Sequence, residues 1–310
     1  MAIHWYPGHM HKANKEMAKV LPEVDIVIEL LDARIPHSSQ NPAIAKLREH
    51  KPCIKILSKS DLADPATTAI WQSFFEQETS VKTLLTTLAQ SDKAQRIIRL
   101  CHKLVPGKSR SNLDILAMIT GIPNVGKSTL INAVAGRKVA KTGNEPAITK
   151  GQQKINTVDG VILLDTPGIL WPKIHNENSG YRLAATGAIR DTAMNVEDVA
   201  FYLSEFLLRQ YPGVLLERYE LDVIPETEND FLELMGVRRG CIRSGGRVDL
   251  ERVSSILVNE FRSGKLGPIS LETPQMIVHE EAIVKSKQID KTERDATRKQ
   301  KHRSGRNNSG

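Results

Sequence analysis

The chain has 310 residues, of which 40% are hydrophobic and 25% are charged. This is the composition of an ordinary globular protein, and the length favours two domains. The net charge of +7 suits a polyanionic partner such as nucleic acid, but charge alone does not distinguish this from a generic basic protein.

The cysteines and the apolar runs exclude two classes of protein. The three cysteines are odd in number and far apart, which argues against a disulfide framework or a zinc site. Apolar runs have only the length of strands, and the N-terminus lacks the apolar core of a signal peptide. We therefore expect a cytoplasmic monomer with neither a membrane nor a disulfide partner.

Strand-like and helical patterns alternate through the first 178 residues. This alternation is typical of an α/β domain with a mostly parallel sheet and helices on both faces. A hairpin with Asp159 and Gly160 at its turn closes the series. The helical patterns are 9–21, 42–50, 65–79, 91–104 and 127–136, and the strand patterns are 24–33, 52–57, 80–86, 113–121 and 152–165.

The texture changes after residue 178, where runs of strand character stop. We predict a small all-α domain over 179–284, with its clearest helix at 249–263 between an Asp249 N-cap and Gly264. Residues 285–310 carry nine basic and three acidic side chains and few apolar ones. This basic tail is expected to be disordered or a frayed helix, as a solvated segment or as an RNA-binding arm.

A phosphate-binding loop follows one of the predicted strands. The segment GIPNVGKST, residues 121–129, fits the pattern G-x-x-x-x-G-K-[ST] and precedes a helical pattern. Its glycines allow backbone amides to face phosphate, Lys127 can reach the β- and γ-phosphates, and the Ser128 hydroxyl can bind Mg²⁺. We count Asn124, Val125, Gly126, Lys127, Ser128 and Thr129 as nucleotide-binding candidates.

Two switch elements follow this loop. LLDTPG, residues 163–168, ends a hydrophobic strand, so that Asp165 can hold Mg²⁺ through water and the Gly168 amide can sense the γ-phosphate. Thr149 lies between the motifs and is the candidate for a second Mg²⁺ ligand, with an ordinary loop threonine as the alternative.

A possible base-reading motif lies at residues 58–61, upstream of the phosphate loop. Ser58-Lys59-Ser60-Asp61 approximates the Asn/Thr-Lys-x-Asp element of GTPases. The Asp61 carboxylate can accept the ring NH and the amine of guanine, and the stem of Lys59 can cover the base. The motif order is a cyclic rotation of the usual one. Parallel strands keep all motifs at one sheet edge whatever the order, so the sequence predicts a circularly permuted P-loop GTPase domain at 1–178.

With these motifs the sequence resembles the YlqF/RbgA family of circularly permuted GTPases, which act in assembly of the large ribosomal subunit. The segments WYPGHMHKA, DARIP, GIPNVGKST and LLDTPGILWP carry the resemblance. It implies GTP and GDP as ligands with Mg²⁺, and the precursor of the large subunit and its rRNA as partners. It also implies that the helical domain binds RNA or the ribosome.

The resemblance assigns roles to three further positions. His9 corresponds to a histidine that is a candidate to orient water, with a capping or RNA-contacting role as the alternative. Asn124 corresponds to an asparagine that binds potassium in some relatives, and Ile169 occupies the position of the missing glutamine. Ser58 departs from the usual Asn, so nucleotide affinity is expected to fall somewhat, and Thr86 or Thr87 is a guess for the guanine carbonyl contact.

The resulting expectation is a GTP hydrolase that is slow alone and is stimulated by ribosomal particles and potassium. It would bind the precursor particle in the GTP state and leave after hydrolysis. One alternative is a non-catalytic RNA-binding scaffold in which GTP only stabilises the fold. A P-loop kinase is another, against which the two switch elements argue.

Overall fold

The computed structural model describes residues 8–307 except 49, 88–91, 112, 141–152, 158 and 172–173. Thr149 therefore lies outside the described residues. Six strands form one sheet in this part of the chain. They are β1 (Ile26–Asp32), β2 (Cys53–Ser58), β3 (Val81–Thr86), β4 (Ile115–Gly121), β5 (Gln153–Asn156) and β6 (Val161–Asp165).

The strand order is β3-β2-β1-β4-β6-β5, and all neighbours are parallel except β5 and β6. Every residue of β1 and β2 is buried. Since successive side chains of a strand point to opposite faces, both faces of the central sheet are covered along these two strands. The predicted antiparallel hairpin is confirmed as β5 and β6.

Six α-helices accompany the sheet in the described part of the chain before residue 177. The short helix α5 begins at Pro106, whose fixed φ suits the first helical position. The helices are α1 (Gly8–Val20), α2 (Pro42–Leu47), α3 (Pro65–Phe75), α4 (Lys93–Leu104), α5 (Pro106–Arg110) and α6 (Lys127–Ala135).

The remaining described chain is helical, as expected. The cap of the clearest predicted helix is confirmed, because the Asp249 side chain accepts a hydrogen bond from the Arg252 amide. At the other end Gly264 has a φ of +75°. These helices are α7 (Glu177–Ala185), α8 (Val196–Gln210), α9 (Pro212–Tyr219), α10 (Glu228–Arg238), α11 (Leu250–Arg262) and α12 (Pro274–Asn307).

One buried apolar cluster runs through both regions. It includes Ile119 of the sheet together with Leu183, Leu203 and Leu257 of the helices. The predicted boundary between 178 and 179 falls inside α7, so the helical region begins as part of a shared core. The division into domains 1–178, 179–284 and 285–310 stays a prediction.

Of the two alternatives expected for the tail, a disordered segment or a helix, the structure describes the helix, because α12 continues without a break to Asn307. Its 34 residues include many Lys, Arg, Glu and Gln, which lose little side-chain freedom in a helix. High charge is therefore compatible with helix formation. In the described residues, no helix has both the length and the apolar character required to cross a membrane.

Candidate functional site: a nucleotide cleft

The sheet register brings the sequence motifs to one edge. Ser58 at the end of β2 pairs with Asp32 of β1 and Thr86 of β3. Gly121 at the end of β4 pairs with Leu30, and Asp165 at the end of β6 pairs with Ile119. Because these strands are parallel, their carboxyl ends face the same side, which is where ligands bind in such sheets.

The phosphate loop has the strand–turn–helix setting that its sequence predicts. It leaves β4 and enters α6, whose N-cap is Gly126 with a φ of +95°. A side chain at this φ would be strained, so glycine permits the turn. The backbone amides in the first turn of α6 carry a partial positive charge, as they do at helix N-termini that bind anions.

Lys127 and Asp165 form an ion pair beneath this loop. The Lys127 Nζ lies 2.5 Å from Asp165 Oδ1, and both side chains are buried. Burial raises the pKa of Asp165, and the neighbouring Lys127 ammonium opposes that rise. The pair therefore keeps an ammonium and a carboxylate beside the phosphate loop. The ammonium could turn to a phosphate group and the carboxylate to a cation.

The donor set near the loop suits Mg²⁺. The Asp165 carboxylate and the Ser128 hydroxyl are hard oxygen ligands, which this cation prefers, and Ser128 directly follows the buried Lys127. An ion of this type usually takes one or two protein ligands and completes its shell with phosphates and water. These two residues fit that pattern.

Residues 163–169, here called the second switch segment, are bonded to β4 and to the first residue of the phosphate loop. Thr166 Oγ1 donates to the Ile119 carbonyl at 2.7 Å, and the Ile169 amide donates to the Gly121 carbonyl at 3.3 Å. A Cβ atom at Gly168 would approach Pro123 Cα to 3.2 Å, so a glycine allows this close contact. The Ile169 side chain is buried and apolar, unlike a glutamine that orients water.

The base-reading motif contacts the phosphate loop directly. The Ser58 hydroxyl lies 2.8 Å from the Val125 carbonyl and 3.0 Å from the Leu31 carbonyl, so its single proton is shared between them. This contact joins the ends of β1 and β2 to the loop after β4. It also gives Ser58 a role for which a hydroxyl is sufficient.

Lys59 and Asp61 occupy the turn after Ser58. Lys59 has a φ of +54°, and its Nζ donates to Asp32 Oδ2 at 3.0 Å. Burial of Asp32 would raise its pKa, but Arg34 and Lys59 outweigh burial and hold the pKa well below its usual range. Asp61 is exposed in the single helical turn Ser60–Leu62.

One cleft of about 1460 Å³ connects the base-reading motif with the phosphate loop. It is larger than the ~300–1,000 Å³ of usual small-molecule sites, so it has ample room for a nucleotide. Thr86 and Thr87 also line it, and their contact with the guanine carbonyl stays a prediction. The predicted nucleotide-binding residues that line it are Ser58, Lys59, Asp61, Asn124, Val125, Gly126 and Thr129.

Sequence reasoning missed the opposite wall of the cleft. This helical wall consists of residues 186–192, after α7, and residues 256–265 at the end of α11. Asn124 Nδ2 donates to the Gly187 carbonyl at 2.7 Å, which links the phosphate loop to the wall. Arg262 donates to the Ala184 carbonyl of α7 and to the Asp191 carboxylate of the wall. No periodicity or motif could reveal these loop contacts.

Three candidate residues are not resolved by this geometry. His9 lies in the first turn of α1, but its side chain is outside the described part of the chain. Thr149 is likewise outside it. The Asn124 amide nitrogen is occupied by Gly187, and its amide oxygen is the atom that a potassium ion would need.

Replacing Ser58 tests whether its contact with Val125 connects the base-reading motif to the phosphate loop. We expect Ser58→Ala to weaken GDP binding by roughly fivefold, because one neutral hydrogen bond contributes about 1 kcal/mol. Calorimetric titration with GDP measures this. Ser60→Ala is the matched control, since Ser60 Oγ contacts Thr86 and not the phosphate loop. Equal GDP affinity in wild type and Ser58→Ala would contradict this connection.

Comparison with known proteins agrees with this cleft. A family model described as "50S ribosome-binding GTPase" matches residues 116–218. A ribosome biogenesis GTPase A from Bacillus pumilus is 43% identical over 282 residues, covering 89% of this chain and 100% of the relative. The mitochondrial ribosome-associated GTPase 1 of Ictalurus punctatus is 34% identical, covering 87% and 92% of the two chains.

Solved structures give the same picture. GDP-bound TM YlqF matches with a TM-score of 0.61 at 26% identity, covering 84% of this chain and 99% of that chain. GNP-bound YlqF from T. maritima matches with a TM-score of 0.59 at 26% identity, covering 85% and 98%. Taken with the relatives that are similar along nearly their whole length, these matches establish that the chain belongs to the ribosome biogenesis GTPase A family.

Proposed function

We propose that this GTPase is a timed switch in assembly of the large ribosomal subunit, which binds precursor particles with GTP and leaves after hydrolysis. The observation that carries the proposal is the Ser58–Val125 contact, which joins a guanine-reading motif and a phosphate loop in one cleft. The relatives are named for ribosome biogenesis or ribosome association, and two similar structures hold GDP or GNP.

In this proposal Asp61 selects guanine. Its exposed carboxylate lines the cleft and can accept both the ring NH and the exocyclic amine of the base. Adenine presents a ring acceptor at the first of these positions, which would leave the carboxylate facing a lone pair. Lys59, held by Asp32, covers the base with its aliphatic stem.

The phosphate end supplies charge stabilisation. Lys127 turns from Asp165 to the β- and γ-phosphates. Asp165, Ser128 and Thr149 would hold Mg²⁺, which would neutralise phosphate charge when bound. The Gly168 amide donates to the γ-phosphate, so that its loss releases the second switch.

Two residues complete the proposed chemistry. His9 orients the attacking water, a role that a neutral imidazole can perform near pH 7. Asn124 offers its amide oxygen to K⁺, which would place a fixed positive charge beside the phosphates. Docking on the particle is what brings these groups into position, and this accounts for stimulation by the particle.

The partner surface is assigned to the C-terminal part of the chain. We propose that the helical region 179–284 and the basic tail 285–310 contact rRNA, since the tail carries nearly all of the net charge. The second switch segment leads into α7 only nine residues after Gly168, so a change of nucleotide can reach this region directly. A cytoplasmic location stays a prediction.

Hydrolysis rates test the switch. We expect the protein alone to release phosphate from GTP slowly, because Ile169 cannot orient water. Precursor particles of the large subunit should raise the rate more than tenfold in K⁺, and less in Na⁺. Phosphate release is measured with and without particles in each salt. Fast turnover with neither particle nor K⁺ would contradict the proposal, and a lack of hydrolysis on particles would favour the scaffold alternative.

Asp61→Asn tests the base reader. The amide can donate to the ring carbonyl of xanthine, so we expect preference to move from GDP to XDP, with GDP affinity reduced at least tenfold. Competition binding with both nucleotides measures the change. Asp64→Asn, three residues away, removes the same charge and retains a helix cap, so its preference should stay with GDP. Retained GDP preference in Asp61→Asn would show that another group reads the base.

A further inference from the structure

A short segment after α11 contacts the residues that follow the base-reading motif. Residues 264–272, here called the strap, connect α11 to the residues before α12. We propose that the strap positions Asp61, so that the helical region sets the guanine selectivity of the cleft. The inference rests on the proposed role of Asp61 as base reader.

The strap is bonded to the backbone on the C-terminal side of Asp61. The Ile269 amide donates to the Leu62 carbonyl at 3.0 Å, and Ser270 Oγ accepts from the Asp64 amide at 3.1 Å. Both partners lie within three residues of Asp61 in the chain. Because the Asp61 side chain is exposed, its direction depends on the backbone that these bonds hold.

The beginning of the strap also packs against this turn. Gly264 lies so close to Leu62 that a Cβ atom there would be 2.5 Å from Leu62 Cδ2. Gly267, three residues later, has a similar positive φ of +84° but no heavy atom within 4 Å of such a Cβ. A side chain at either glycine would therefore strain the backbone, but only one at Gly264 would also meet Leu62.

The end of the strap reaches the residues that hold Lys59. The Leu271 amide donates to the Arg34 carbonyl at 2.8 Å, and Arg34 shares the Asp32 carboxylate with Lys59. The Arg34 guanidinium also lies over the Phe261 ring of α11, 5.1 Å from its centroid. Both base-contacting side chains of the motif are thus connected to the helical region.

Glu272 holds the end of the strap through several polar contacts. Its fully buried carboxylate accepts from the Ser38 amide at 2.9 Å and lies 3.4 Å from Arg182 of α7. Its carbonyl accepts from the Trp71 indole at 3.0 Å. A strap fixed at this end has little freedom to slide, so it can transmit the position of α11 to the turn around Asp61. Small displacements of a positioned group reduce specific contacts strongly.

The experiment compares GDP with IDP, which lacks only the exocyclic amine of guanine. The ratio of the two affinities reports the Asp61 contact to that amine and is insensitive to a general loss of binding. We expect Gly264→Ala to displace Leu62 and reduce the ratio by roughly tenfold, toward one. Gly267→Ala should keep the wild-type ratio, although both variants strain a positive φ.

Calorimetric titrations of the full chain with both nucleotides give the ratios. If Gly264→Ala does not fold, Ser270→Ala removes the acceptor of the Asp64 amide and should move the ratio in the same direction. Equal losses of GDP and IDP affinity in the folded variant would overturn the proposal and leave the strap a structural element. An equal fall in both glycine variants would also overturn it. A wild-type ratio near one would instead refute Asp61 as the base reader.

Discussion

The alignment of parallel strand ends is the constraint on which the cleft depends. It places Ser58, Gly121 and Asp165 at one edge of the sheet, although the chain visits them far apart. The hydrogen bond that the Ser58 hydroxyl donates to the Val125 carbonyl then sets the distance between the base-reading motif and the phosphate loop. A nucleotide bound as we propose would span that distance, with its base and its phosphates on two segments that follow one another in rotated order along the chain.

The rotated order has a structural consequence for regulation. In this chain the second switch segment is followed directly by α7, and the helical region returns through α11 and the strap to the other end of the cleft. The helical region thus contacts the phosphate loop through Gly187, and it contacts Leu62, the residue after the base-reading motif, through Ile269. A particle that binds this region would act on both ends of the nucleotide site.

The sequence predicts those parts of the structure that local chemistry determines. The parallel sheet, the hairpin, the phosphate loop and the Asp249 cap follow from apolar runs, glycines and a capping carboxylate, and each is confirmed. The helical wall and the strap were not predicted, because their contacts use backbone groups of loops distant in sequence. For the tail, which has few apolar residues, the sequence left disorder and a frayed helix as alternatives, and the helix is described because helix propensity does not require burial.

Hydrogen exchange in the presence of GDP tests most directly the claim that one cleft is formed by all three segments. The account predicts slower exchange of backbone amides in 58–64, in 121–129 and in the helical wall at 186–192, relative to the nucleotide-free protein. Slower exchange confined to 121–129, with the other two segments unchanged, would contradict it.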